Sequence, residues 1–142
     1  MRVVVDTPIW SLALRRRRQV LEASQRACEH ELTELIKDGN AVLLGVVRQE
    51  VLSGIRGEAS FERLRSHLRR FLDEKILVED YEEAARFHNR CRVAGVAGST
   101  IDLLICAVAV RLNATIFTTD RDFENYSQVL PVRLHASHGS KS

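Results

Sequence analysis

The stretch STIDLLICAVAVRLNATIFTTD, residues Ser99–Asp120, decides the fold. From Ser99 to Leu112 it is strongly apolar, interrupted only by Asp102 and Arg111, and its length suits a helix rather than a strand. Asn113 stops that helix, and Thr115-Ile116-Phe117 reads as a short strand running into Thr118-Thr119-Asp120. Working outward, the same alternation recurs. Val3–Val5, Ala41–Leu44 and Ile76–Val78 read as further short apolar strands, and Val129–Val132 as a last edge strand, the position Pro131 permits. Helical spacing marks the segments between them: about Val20 to Lys37, Gly45 to Leu52, about 58–73, and a helix opening at Asp80-Tyr81-Glu82-Glu83 and reaching about Val93. Short apolar strands alternating with helices predict a parallel sheet of about five strands covered on both faces. The chain reads as one domain over residues 1–134, followed by a loose polar tail over 135–142.

Four acids stand where apolar segments end or begin. Asp6 follows Val3-Val4-Val5, Glu50 follows the run Val42–Val47, Asp102 lies inside the apolar helix, and Asp120 follows Ile116-Phe117-Thr118-Thr119. In a parallel sheet, ligands gather outside the carboxyl ends of the strands, so one crevice could collect all four. Carboxylates beside a core cost desolvation and repel one another. A bound divalent cation relieves both, and an all-oxygen set suits magnesium. Each acid also has a plain reading. Asp6 and Asp120 could cap helices, Ser99-x-x-Asp102 matches a capping box, and Glu50 could be an exposed helix residue.

Composition narrows the class. The net charge of +2 does not by itself indicate a polyanion partner. Only Lys37, Lys75 and Lys141 are lysines, so the positive charge is almost all arginine, which suits bidentate phosphate contacts. Cys28, Cys91 and Cys106 form no C-x-x-C pair, which leaves zinc ribbons and thioredoxin chemistry without support. No apolar stretch has membrane-spanning length, and the start runs directly into a strand, so a cytoplasmic protein is expected. Arg15, Arg16, Arg17 and Arg18 form a charge run near the first acid that could contact phosphates or a protein partner, or simply be a solvated face.

Four segments together resemble the PIN-domain ribonucleases, and most closely their bacterial VapC-type toxins. They are Val3–Trp10, Val47–Gly54, Ser99–Ala107 and Phe117–Phe123, in that order and spacing. The resemblance implies a three-layer α/β/α fold and Mg²⁺-dependent cleavage of RNA, with Mn²⁺ as a substitute. Carried over by position, Asp6, Glu50, Asp102 and Asp120 match the family's acidic quartet of catalytic metal ligands. Thr7 and Thr118 match supporting hydroxyl residues, and Asp122 an accessory acid that varies among members. The resemblance also implies a cognate antitoxin and a homodimer, with helices in the 15–39 region clasping the antitoxin or pairing two toxins.

Three other readings are open on the residues. A receiver-like acidic α/β module needs paired acids after the first strand, where Asp6 stands alone. An aspartyl phosphohydrolase needs an acid at position 8, where Pro8 stands. A PIN fold kept only for protein binding would have no need of an intact quartet.

Overall fold

A computed structural model describes residues 1–15 and 21–136; of Arg15 it describes the backbone. Of the arginine run, Arg16, Arg17 and Arg18 therefore lie outside the described residues, as does His138. The elements are β1 (Val3–Val5), α1 (Thr7–Arg15), α2 (Ala23–Lys37), β2 (Ala41–Leu44), α3 (Gly45–Leu52) and α4 (Glu58–Leu68), followed by β3 (Asp73–Glu74), α5 (Val78–Val93), α6 (Thr100–Leu112), β4 (Thr115–Phe117) and α7 (Asp122–Val129).

The strands form a parallel sheet in the order β3-β2-β1-β4. The chain winds outward from β1 through β2 to β3, then returns to the other side of β1 as β4. Right-handed crossovers in opposite directions place their helices on opposite faces. Accordingly α1 packs on α2 and α3, while α5 packs on α6 and α7, with α6 laid against β1 and β4. The direction reverses between β1 and β4, which opens the crevice at their carboxyl ends.

Helix α6 is the central element. Leu103 through Ala109 are all buried, so it is enclosed on every side. Asn113 ends it in the left-handed conformation (φ 55°), which asparagine tolerates better than most residues. Gly98 lets its start sit low, because a Cβ there would fall 2.7 Å from Leu103 Cδ1. Across the sheet, Trp10 is fully buried, donates from Nε1 to the Val5 carbonyl at 3.1 Å, and meets Phe71 edge-on. It is a packing residue. No helix among the described residues is long and apolar enough to cross a membrane.

The expected α/β class holds, but among the described residues the sheet has four strands rather than about five. The segment expected as a fifth strand, Val129–Val132, instead finishes α7 and turns. Only Leu134 pairs, as an isolated parallel bridge with Ile116. Pro131, with no amide hydrogen, lies in that turn. His135 belongs to this edge rather than to a loose tail: its amide donates to the Ile116 carbonyl at 2.8 Å, and its ring meets buried Glu31 at 2.7 Å.

The third strand also differs. It is Asp73–Glu74, not Ile76–Val78. The Asp80 carboxylate accepts the Leu77 amide at 2.8 Å, which starts α5 at Val78 and removes those apolar residues from the sheet. Arg48 pairs with Asp73 at 2.7 Å and Arg2 with Glu74, holding a polar edge strand in place. Asp80 is 2% exposed and is paired by Arg111 at 2.8 Å, which ties α5 to α6.

Candidate active site

Register places the first two groups. Val5 pairs with Phe117, so the residues just beyond, Asp6 and Thr118, emerge side by side. The Asp6 amide donates to the Phe117 carbonyl at 2.9 Å, continuing the ladder past the last strand residue. Asp6 is 4% exposed, and each carboxylate oxygen accepts one hydrogen bond: Oδ1 from the Thr7 amide at 2.8 Å, and Oδ2 from the Thr118 hydroxyl at 2.8 Å.

Thr118 then serves as a relay, accepting the Asp120 amide at 3.0 Å on the same Oγ1. Asp120 Oδ1 in turn accepts the Asp122 amide at 2.9 Å, an Asx-type turn that launches α7. On the other flank the Thr7 hydroxyl donates to Glu50 Oε1 at 3.0 Å, joining the first turn of α1 to α3. Glu50 is exposed.

Asp102 enters from the first turn of α6. Ser99 is the N-cap, and its Oγ accepts the Asp102 amide at 3.0 Å. The capping-box reading of this pair is thus half right: serine caps the helix, with no reciprocal bond from the Ser99 amide to the Asp102 carboxylate. Asp102 Oδ2 accepts the Tyr126 hydroxyl at 2.8 Å. Asp102, Asp120 and Asp122 each place a carboxylate oxygen within 4.8 Å of the other two.

All the acids named from sequence therefore lie around one crevice, in two linked groups. Asp6 and Glu50 are joined through Thr7, while Asp102, Asp120 and Asp122 form the close trio; Thr118 connects the groups. Asp122, an accessory residue on sequence grounds, stands as near its neighbours as Asp102 and Asp120 do. Tyr126 was not legible as a site residue, although its i,i+4 spacing from Asp122 places both on one face of α7.

The electrostatics describe a site in want of positive charge. Burial pushes the Asp6 carboxyl up to about 6; the Thr118 hydroxyl and Thr7 amide oppose this, while the charges of Asp102 and Glu50 add to it. Burial likewise raises Asp102, opposed by the Tyr126 and Ser99 hydroxyls and reinforced by Asp120 and Asp122. The donor set consists of hard oxygens that gain from a nearby cation, the chemistry a magnesium-type ion requires. The nearby Cys106 thiol offers no soft ligand: it is fully buried, and burial holds it far above the usual thiol range. The residues present fit a divalent metal.

Comparison with known proteins bears on the family and the fold. The sequence model described as "PIN domain" matches residues 3–129. The fold is similar to FitAcB from Neisseria gonorrhoeae, with a TM-score of 0.68 at 18% identity, covering 94% of this chain and 96% of that one. It is similar to VapBC2 from Rickettsia felis, solved bound to a DNA fragment from the promoter, with a TM-score of 0.71 at 17% identity over 95% and 98% of the two chains. It is also similar to VapBC-1 from nontypeable Haemophilus influenzae, with a TM-score of 0.66 at 16% identity over 95% and 97%. At these identities the likeness is one of fold.

Proposed function

Since the chain belongs to the PIN domain family, we propose that it is a divalent-metal-dependent endoribonuclease acting as the toxin of a toxin–antitoxin pair. The observation that carries this reading is the trio Asp102, Asp120 and Asp122, with oxygens within 4.8 Å of one another beside the buried carboxylate of Asp6. Family membership supports a nuclease, and the all-oxygen donor set supports Mg²⁺, with Mn²⁺ as substitute. The fold likeness to chains of VapBC and FitAcB structures supports an antitoxin partner.

In this reading Asp6, Asp102 and Asp120 hold the metal, and Glu50 assists by orienting water. When bound, a divalent ion would supply an activated water and neutralise charge on the phosphodiester. The chain's own contribution is placement. Thr118 clamps Asp6 and the Asp120 backbone together, so two ligands beyond the ends of adjacent strands keep a fixed separation. Thr7 holds the exposed Glu50 to the site, where the side chain would otherwise be free to swing. The Asp120–Asp122 turn presents both carboxylates on the same rim. Arg15 to Arg18 are proposed to meet either RNA phosphates or the antitoxin.

Brief induction of the chain in bacteria, with sequencing of RNA ends, tests this function. New 5′ ends at defined positions and arrested growth are expected, and both should be absent with Asp102→Asn. Harmless expression with no new ends would contradict it.

The reading includes a homodimer. Sedimentation should give a dimer at micromolar concentration; a wild-type monomer there would contradict that part of the reading.

A further inference from the structure

Asp102 is oriented by a residue that belongs to none of the acidic groups. Tyr126 lies on α7, one turn beyond Asp122, and is 1% exposed. Its hydroxyl donates to Asp102 Oδ2 at 2.8 Å. Its ring is itself fixed, meeting the fully buried Phe123 edge-on with centroids 5.1 Å apart. A carboxylate held in this way cannot rotate without breaking a part-buried hydrogen bond. The constraint acts where three carboxylates stand close, because Asp102, Asp120 and Asp122 each place an oxygen within 4.8 Å of the other two. Left to itself, Asp102 would relieve their repulsion by turning toward solvent.

We propose that Tyr126 is a positioning residue of the metal centre, holding Asp102 against Asp120 and Asp122 before the ion arrives. This rests on the reading of the site as a divalent-metal site. Tyr126 also links two elements: α7 carries both Asp122 and the hydroxyl that orients Asp102, so docking of α7 sets two of the three acids together. Preorganisation of this kind acts on metal affinity, because the ordering of the ligands is completed on folding rather than on binding. The competing account is that the phenol only satisfies its own buried hydroxyl with the nearest acceptor. In that case its loss would alter stability and leave metal affinity unchanged.

The test is Mn²⁺ titration of the full chain, followed by electron paramagnetic resonance of the free ion, for wild type, Tyr126→Phe, Asp102→Ala and the double variant. Tyr126→Phe should weaken Mn²⁺ binding by about tenfold to a hundredfold, the range seen when outer-shell partners of metal ligands are removed. Its melting temperature in EDTA should stay within a few degrees of wild type. RNA cleavage should recover at saturating Mn²⁺. In the Asp102→Ala background, which removes the acceptor, the phenylalanine substitution should weaken whatever binding is left no further, because the effect runs through Asp102. Unchanged Mn²⁺ affinity in Tyr126→Phe, or an equal further loss in the double variant, would overturn the proposal. A wild type that binds no Mn²⁺ would overturn the metal-site reading itself, and the proposal with it.

Discussion

Asp6→Asn is expected to abolish RNA cleavage, by at least about a thousandfold, while making the metal-free protein more stable at neutral pH. The two effects share one cause. Asp6 is buried at the switch point of the sheet, and burial together with the charges of Asp102 and Glu50 lifts its carboxyl from 3.8 to about 6. In the unfolded chain the proton leaves near 3.8, so between these values the folded state binds more protons. Without metal, this group's cost to stability is absent below pH 4, grows as pH rises, and is complete above about pH 6. Its size at neutral pH is about 3 kcal/mol from the width of that window. Some of it is offset in the variant, because the amide nitrogen replaces one of two acceptors that now face Thr7 and Thr118. Urea unfolding in EDTA at pH 4 and pH 7 checks this. The stability of Asp6→Asn relative to wild type should increase by 1 to 3 kcal/mol, roughly, between the two pH values. A difference that does not change with pH would mean the Asp6 charge is not under strain. Retained cleavage would remove it from the chemistry.

The second large effect is that of the ion itself. EDTA should stop cleavage completely, and Mg²⁺ or Mn²⁺ should restore it. The same addition should stabilise the fold, since a ligand present at a hundred times its dissociation constant contributes about 2.7 kcal/mol. For a domain of this size that is a rise in melting temperature of about 5 to 10 °C. Asp102→Asn should show little of the rise. It keeps an oxygen for the Tyr126 hydroxyl but loses the charge that pairs with the cation. Cleavage that persists in EDTA, or an equal rise in both proteins, would exclude this site as the source of the effect.

Legibility in the sequence followed the physics of each element. The helix and strand over 99–120 were readable because burial on all sides demands an unbroken apolar run, and Leu103 through Ala109 supply it. Asp6 and Asp120 stood out by position, since a parallel sheet delivers residues that follow its strands to one edge; Glu50, Asp102 and Asp122 lie in helices, and it was the resemblance that assigned them to the set. The third strand was not. Asp73–Glu74 is short and polar, and its place depends on Arg48 and Arg2, which are distant in sequence. The apolar Ile76-Leu77-Val78 segment misled for a related reason, because Asp80 caps α5 at Leu77. Tyr126 was hidden because its role is a single hydrogen bond across two elements, which no local spacing announces. Residues 16–18 and 137–142 lie outside the described structure, so the arginine run keeps its two proposed partners, RNA phosphate and antitoxin.

The central claim is that carboxylates from β1, α6 and the β4–α7 turn serve one divalent ion. Anomalous scattering from crystals soaked in Mn²⁺, at a concentration that supports cleavage, tests it most directly. The account predicts a manganese peak within bonding distance of Asp102, Asp120 or Asp122, in the crevice that Asp6 lines, and its loss in Asp102→Asn. A fully active protein with no peak there, or with manganese bound only on another face, would contradict it.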